Sequence, residues 1–216
     1  MKVTNVRAKA AEVLLAVLDK GQSLSEALPK AQQSLPVKDH ALLQEMCFGA
    51  IRYFPKYDAI TNQLLAKKMK AKQRVFHHLI IIGLYQLDQM RIPEHAAVGE
   101  TVQGAVSLKA SGMKGLINGC LRNYMRNKDK LLNKIKNDVT EFCHPNWFIK
   151  KVQVAYPQEW QAILANNLKR SPMWLRVHTK NCPLETFTTE LTNAKIEFSQ
   201  PLPNQHSILL ERPMPV

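Results

Sequence analysis

One stretch of the chain, residues 112–126, carries the side chains best suited to binding a ligand, and they favour an anion. Drawn as a helix, it separates a polar side from an apolar side, which is predicted to be buried and consists of Leu116, Ile117, Cys120, Leu121 and Tyr124. The polar side carries Lys114, Asn118, Arg122 and Arg126. Gly115 and Gly119 lie among them, although glycine inside a helix costs roughly 0.5–1 kcal/mol relative to alanine. Two such glycines on the side away from the core suggest that a ligand approaches the bare helix backbone closely. The neighbouring cations predict that this ligand is the phosphate backbone of RNA.

The overall composition also favours a polyanionic partner. Thirty Lys and Arg residues outnumber 17 Asp and Glu, which gives the 216-residue chain a formal net charge of +13. Such a balance is typical of proteins that bind nucleic acid. A solvated basic surface kept for solubility would give the same totals, so composition alone leaves both interpretations open.

Other chemically capable residues are weaker candidates. The densest cationic cluster comprises Lys67, Lys68, Lys70, Lys72 and Arg74 and falls in a predicted turn, where a solvated loop is the commoner explanation. The lysines at 128, 130, 134 and 136 resemble a flexible basic linker. His77 and His78 fall on the polar side of a predicted helix, where an exposed or hydrogen-bonded histidine is more common than one that stacks on bases. The three tryptophans, Trp147, Trp160 and Trp174, are predicted to pack in the core.

Several classes of site are not expected. No run approaches the ~18 apolar residues of a membrane span, and no signal peptide is evident, so we expect a soluble, cytoplasmic protein without a membrane partner. The four cysteines form no CxxC pair, which favours buried thiols and argues against a metal site. No glycine follows Gly119, so no Gly-rich nucleotide-binding turn is available. We therefore expect no nucleotide-binding fold in this chain.

Periodicity predicts a mainly α fold. Residues of about 4–137 read as helices joined by short turns, with Gly21 as a stop signal and Ser23 and Asp39 as N-caps. The most apolar segment, residues 72–90, should lie in the middle of a bundle. Further on, short helices give way to predicted strands at 173–178, 196–198 and 207–210 with a helix at 184–191. The prediction is a helical bundle followed by a small α+β segment.

Five segments of the chain resemble one family. They are Lys114–Arg122, Leu42–Gly49, Gly83–Leu87, His144–Trp147 and Arg170–Val177. The first three resemble the NusB-like amino-terminal domain of the ribosomal RNA small-subunit methyltransferase B family, also called Sun or Fmu. The last two resemble the region between the RNA-binding and catalytic domains of that family. The resemblance implies a NusB-like RNA-binding domain at 1–137 and a small α+β connecting domain at 138–216.

The resemblance also implies a function. The family is that of S-adenosylmethionine (SAM)-dependent cytosine-C5 methyltransferases that act on 16S-type ribosomal RNA. The SAM-binding domain with its active-site cysteines would lie beyond Val216. The resemblance therefore implies that this chain is the rRNA-targeting portion, that it has no catalytic residue and no bound cofactor, and that it is inactive alone. SAM is expected only for the full-length parent. NusB-like domains use the start of the first helix for RNA binding, which adds Arg7 and Lys9 to the expected RNA contacts.

Two rival interpretations stay open. One is a stand-alone NusB-like antitermination or regulatory module without enzymatic activity, against which the long segment after Trp147 argues, because that fold would be complete by about residue 137. The other is a protein-interaction module whose basic face meets an acidic partner or a ribosomal protein. Salt dependence should separate RNA contact from protein contact.

Overall fold

The computed structural model describes residues 5–202, 206–212 and 214. The chain divides into two units, Met1–Leu168 and Lys169–Val216, and each has its own hydrophobic core. The expected domain boundary after residue 137 stays a prediction. Residue 4, where the first helix was expected to begin, lies outside the described residues.

The described part of the first unit is helical from end to end. Its α-helices are α1 (Val6–Leu14), α2 (Leu24–Gln32), α3 (His40–Arg52), α4 (Phe54–Leu64), α5 (Arg74–Gln89), α6 (Glu94–Ser107), α7 (Lys114–Ile135), α8 (Asp138–Phe142), α9 (Asn146–Ala155) and α10 (Trp160–Asn167). A π-helical turn, Leu15–Asp19, continues α1, and short 3₁₀ turns precede α3, α5 and α7. The predicted mainly α architecture is confirmed.

Local signals set most helix ends. Gly21 has a φ of +69°, a conformation that glycine adopts without strain, and it follows the π-helical turn. Ser23 caps α2 by accepting a hydrogen bond from the Ser25 amide at 3.2 Å. The predicted cap at Asp39 is wrong, because its side chain makes no capping bond to α3. Asp39 belongs to a 3₁₀ turn and so already has helical backbone angles, whereas a capping residue needs an extended backbone.

Helix α5 lies at the centre of the bundle, as its apolar sequence predicted. Every residue from Phe76 to Gln86 is buried, and the helix packs against α1, α3, α4, α6 and α7. Each fully buried Leu or Ile contributes roughly 1.5–3 kcal/mol of transfer free energy. This helix therefore supplies the main driving force for assembling the bundle.

The two histidines of α5 are buried, which corrects their placement on a polar side. His77 contacts the Asp58 carboxylate at 2.7 Å, and His78 contacts Asp19. Carboxylates from α4 and the π-helical turn thus make burial of these rings possible. Burial lowers the pKa of His78, whose Nδ1 has no hydrogen-bond partner in the described part, so a neutral ring donates from Nε2 to Asp19.

Only one of the three tryptophans packs as predicted. Trp160 contacts Phe142 edge-to-face at 5.1 Å in the cluster formed by α8–α10. Trp147 is 63% exposed and Trp174 44% exposed, so the predicted core positions were wrong for both. In α9 the buried side carries Ile149 and Val152, which places Trp147 on the opposite side.

The second unit contains a three-stranded antiparallel sheet in the order β1-β3-β2, with β1 at Met173–Arg176, β2 at Phe198–Ser199 and β3 at Ser207–Leu210. Met173 pairs with Leu210, and helix α11 (Leu184–Asn193) joins β1 to β2. Ile208, Leu210 and Leu191 form its core. The outer positions of β1 carry Trp174 and Arg176, as alternation along a strand requires. The predicted α+β segment is confirmed.

Candidate nucleic-acid interface

Helix α7 brings together four of the six residues predicted to contact RNA. Its buried side consists of Ile117, Cys120, Leu121 and Tyr124, which pack into the bundle. Its solvent-facing surface carries what we call the α7 ridge: Lys114, Gly115, Asn118, Gly119, Arg122 and Arg126. All of these are exposed except Asn118, which is half-buried. The amphipathic pattern accounts for the exposure of most of the ridge, and Lys114 is exposed as the first residue of the helix.

The ridge glycines face open space. A Cβ atom added at Gly115 or Gly119 would meet no atom within 4 Å in the described structure. At Gly83 of α5, by contrast, it would lie 2.7 Å from a methyl carbon of Leu121. Gly83 admits a neighbouring helix, whereas the ridge glycines do not. The described structure therefore gives no helix-packing reason for glycine at these two positions.

The ridge cations are not neutralised by the described part of the chain. Lys114, Arg122 and Arg126 form no ion pair there. Arg122 Nε donates to Asn118 Oδ1 at 3.0 Å, one helical turn away. This bond orients the guanidinium and leaves its two terminal nitrogens available. An arginine held in this way is suited to bidentate contact with a phosphate.

A groove of about 520 Å³ runs between α6 and α7 beside the ridge. It is lined by Glu94, His95, Val98, Gly99, Val102, Asn118, Arg122 and Met125. Val98, Val102 and Met125 give it an apolar floor, and Leu116, predicted on the buried side of α7, is 42% exposed. Leu116 lies at the edge of the buried side, about 90° from its centre. The combination of cations and an apolar floor suits a nucleotide, whose phosphate is charged and whose base has flat apolar faces.

Helix α7 changes direction just after the ridge. Asn127 has non-helical backbone angles of −126° and 26°, and its side-chain amide bonds to Asn123 Oδ1 at 2.6 Å. Immediately beyond, Lys128 Nζ lies 2.5 Å from Asp88 Oδ1 at the end of α5. The ridge therefore ends at the kink, and the first cation beyond it, Lys128, is used internally.

Asp88 anchors α7 to two other helices. Besides Lys128, its carboxylate accepts bonds from Lys56 Nζ at 2.6 Å, Tyr57 OH at 2.9 Å and Tyr124 OH at 3.2 Å. Burial would raise the pKa of Asp88, but hydrogen bonds from Lys128 and Lys56 outweigh it and hold that pKa well below its usual range. The anchor fixes α7 against α4 and α5. Sequence reasoning missed it, although Asp88 is the lone acidic residue between Arg74 and Met90.

The other two predicted RNA contacts, Arg7 and Lys9, lie on α1 and not on the ridge. Arg7 Nε donates to Gln86 Oε1 at 3.0 Å, and Lys9 pairs with Glu12 at 2.7 Å. Burial lowers the pKa of Arg7. Both side chains thus have partners within the chain, which leaves them fewer free donors than the ridge offers.

The basic cluster before α5 has the structure expected of a solvated loop. Lys67, Lys68 and Lys70 are exposed between α4 and α5, and Lys72 lies in the 3₁₀ turn. Arg74 begins α5 and pairs with Asp19 at 3.0 Å. No further element organises these lysines into a defined surface in the described part.

The described residues contain no cluster of three or more His, Cys, Asp or Glu side chains arranged to hold a metal ion. None of their helices combines the length and the apolar character that crossing a membrane requires. Cys47, Cys120 and Cys143 are buried free thiols, and burial raises the pKa of Cys47 to about 12 and that of Cys120 to about 11. Such thiols are poor nucleophiles.

Two family models match the chain. The NusB family model matches residues 4–126, which include the α7 ridge and α5. A model of the ferredoxin-like domain of RsmF/B-like methyltransferases matches residues 144–216. A crystal structure titled PH0851 has a TM-score of 0.62 over 100% of this chain and 50% of its own, at 14% sequence identity, which shows the fold alone.

Curated relatives share one name, ribosomal RNA small subunit methyltransferase B. That of Vibrio vulnificus (strain YJ016) is 52% identical and covers 89% of this chain and 46% of its own length. Those of Vibrio cholerae and Escherichia coli O1:K1 are 45% and 43% identical, covering 99% and 100% of this chain and 50% of their own. The chain spans about half the length of these relatives. It belongs to the NusB family, as a NusB domain followed by an RsmF/B-type ferredoxin-like domain.

Proposed function

We propose that this chain is the rRNA-binding, targeting portion of a SAM-dependent methyltransferase that modifies cytosine C5 in 16S rRNA. The observation that carries the proposal is the α7 ridge, a row of cations around bare backbone that have no ion-pair partner among the described residues, in a chain 43–52% identical to proteins named for rRNA methylation. We also place its action in the cytoplasm. The small-subunit rRNA would be its partner.

The ridge supports binding through the phosphate backbone. At Gly115 and Gly119 a phosphate can approach the helix without meeting a side chain. Lys114, Arg122 and Arg126 would then supply charge, and Asn118 an amide donor. Contacts of this kind fix the register of a protein on RNA but carry little sequence information. Sequence preference would come from RNA shape and from the groove beside the ridge, which has room for an unstacked base.

The described residues do not fit SAM. Cofactors of this type bind at the carboxyl ends of parallel strands, beside a Gly-rich turn. The three described strands are short and antiparallel, and no glycine follows Gly119. We therefore propose that methyl transfer needs the remainder of a longer protein, so that this chain alone transfers no methyl group from SAM to rRNA.

The central experiment reverses the charge of two ridge residues. Lys114→Glu with Arg122→Glu should weaken binding to a 16S rRNA fragment about a hundredfold, because two phosphate contacts become repulsive. The melting temperature should stay unchanged, since neither cation is ion-paired in the described structure. Affinity would be measured by fluorescence anisotropy at fixed salt, and stability by circular dichroism.

A matched control lies on the same helix. Lys130→Glu with Lys134→Glu makes the same change in net charge on exposed residues beyond the Asn127 kink. It should cost much less affinity. Equal losses of affinity in both double variants would mean that net charge, and not the ridge, governs binding. Full retention of affinity by the ridge variant would refute the ridge as the RNA-binding surface.

Two rival functions make different predictions. A stand-alone antitermination module would need only the residues that match NusB, whereas the match at 144–216 to a methyltransferase-associated domain favours the targeting role. A basic face that meets an acidic protein would also bind more weakly as salt rises, but its response should be shallower, because no condensed counterions are released from a phosphate backbone. With about five phosphate contacts to single-stranded RNA, affinity should fall roughly a hundredfold between 50 and 200 mM salt.

A further inference from the structure

An exposed tryptophan lies outside the NusB-matched residues. Trp147, in the first turn of α9, leaves 63% of its surface in solvent, although indole is among the most costly side chains to expose. The helix does not need it for packing, because Ile149 and Val152 supply the buried side. Core packing therefore does not account for a tryptophan here.

The indole is held in place by other aromatic rings. Its centroid lies 5.6 Å from that of Phe148 in an edge-to-face arrangement, and Phe148 stacks on His144 at 5.3 Å. His144 is in turn held by two hydrogen bonds: its Nδ1 donates to the Phe142 carbonyl, and its Nε2 accepts from Asn167 Nδ2. Phe148 packs against the core of α8–α10. A preorganised ring loses little conformational entropy when a partner stacks on its open face.

The surroundings of the indole are cationic. Lys151 Nζ lies 5.8 Å from the centroid of the Trp147 ring, and Lys150 is exposed on the same helix. The ten residues of α9 include no Asp or Glu. The positive end of the α9 dipole is also at this first turn. A flat aromatic surface beside positive charge is the combination that binds single-stranded nucleic acid.

We propose that Trp147 is a stacking platform for an unpaired RNA base, with Lys150 and Lys151 contacting the flanking phosphates. The proposal rests on the RNA-binding function above and adds a second contact that selects single-stranded RNA. A protein partner fits less well, because lysine is depleted in the cores of protein interfaces. Lys151 over the indole would place a charge in that core.

The first test uses the fluorescence of the indole itself. In a variant carrying Trp160→Phe and Trp174→Phe, Trp147 is the sole tryptophan, and circular dichroism checks that the fold is kept. An unstructured RNA decamer should quench its emission, since stacking brings a base against the ring. A duplex of equal length should not. Absence of quenching at saturating decamer overturns the proposal.

The second test needs no change to the other tryptophans. Trp147→Ala should weaken decamer binding about 5- to 150-fold, the range for loss of one stacked base. Trp147→Phe should restore most of the affinity because it keeps an aromatic face. Val154→Ala, an exposed apolar position on the same helix, serves as the matched control and should change nothing. Unchanged decamer affinity in Trp147→Ala would instead favour a protein partner for this face and sink the stacking role.

The two proposals fail separately. If the decamer does not quench Trp147 but Lys114→Glu/Arg122→Glu still weakens rRNA binding, the stacking platform is refuted and the ridge is supported. If the decamer quenches Trp147 but the ridge variant binds the 16S rRNA fragment normally, the platform is supported and the ridge is refuted.

Discussion

Cations from two regions of the bundle are used in opposite ways. On the α7 ridge, Lys114, Arg122 and Arg126 have no ion-pair partner among the described residues, whereas Lys56 and Lys128 share the buried carboxylate of Asp88. The residue types and helical setting are alike. What differs is whether another helix brings an acceptor within reach. A basic sequence therefore does not by itself indicate a binding surface, because some of its cations are paired with carboxylates inside the protein.

The change from one use to the other occurs within two residues of α7. Arg126 is exposed before the kink at Asn127, and Lys128 reaches Asp88 just after it. Beyond the kink, Leu131 and Ile135 pack into the bundle core. The part of α7 before Asn127 thus offers cations for binding, whereas Lys128 just beyond it stabilises the bundle. Variants in both parts test this division.

The largest effect is expected at the anchor. Asp88→Asn should lower the free energy of unfolding by about 3 kcal/mol, because it removes the buried carboxylate that two lysines and two tyrosines share. Urea denaturation measures the change. Asp129→Asn removes an exposed carboxylate from α7, the helix that the anchor holds, and should change stability by less than about 0.5 kcal/mol.

The pH dependence of the same measurement checks the cause. The pKa of Asp88 lies below its usual range in the folded protein, so its contribution is fully present above the unfolded-state pKa of about 4 and disappears as pH falls through the folded-state value. Stability of the native sequence should therefore fall more steeply below pH 4 than that of Asp88→Asn. Parallel curves would show that the anchor owes little to the ionised carboxylate.

An intermediate effect is expected at α1. Arg7→Ala should cost about 1–2 kcal/mol of stability, because it leaves the buried Gln86 Oε1 without its donor. The rRNA affinity should fall less than in the ridge double variant, since Arg7 is half-buried and already bonded. Urea denaturation measures the stability of this variant, and fluorescence anisotropy on the same preparation measures its rRNA affinity. If stability is kept and rRNA binding collapses, the main interface moves from α7 to α1.

The smallest effect concerns the bare backbone. Gly115→Ala and Gly119→Ala should each raise stability by about 0.5–1 kcal/mol, since the added methyl group meets nothing, and both should weaken rRNA binding. Gly83→Ala is the contrasting variant and should destabilise, because its methyl group would lie 2.7 Å from Leu121. A ridge alanine that leaves rRNA affinity intact would show that close backbone approach is not needed.

Local and periodic features were predictable, and long-range pairings were not. The Ser23 cap, the Gly21 stop and the central position of α5 follow from signals within one or two helical turns. The burial of His77 and His78 depends on carboxylates 19 and 59 positions away, which no local pattern reveals. The predicted burial of Trp147 was wrong for another reason. On a short helix a tryptophan can lie on the buried or the exposed side, and only its neighbours in the fold decide which.

The sequence by itself determined the helical bundle, the α+β segment and the polar side of α7, because hydrophobic periodicity and turn residues act over short distances. Tertiary structure alone decided which cations are free. Ion pairing depends on side chains that meet only after the helices pack, as Lys56, Lys128 and Asp88 do. The same packing leaves Gly115 and Gly119 open while it closes Gly83 against Leu121.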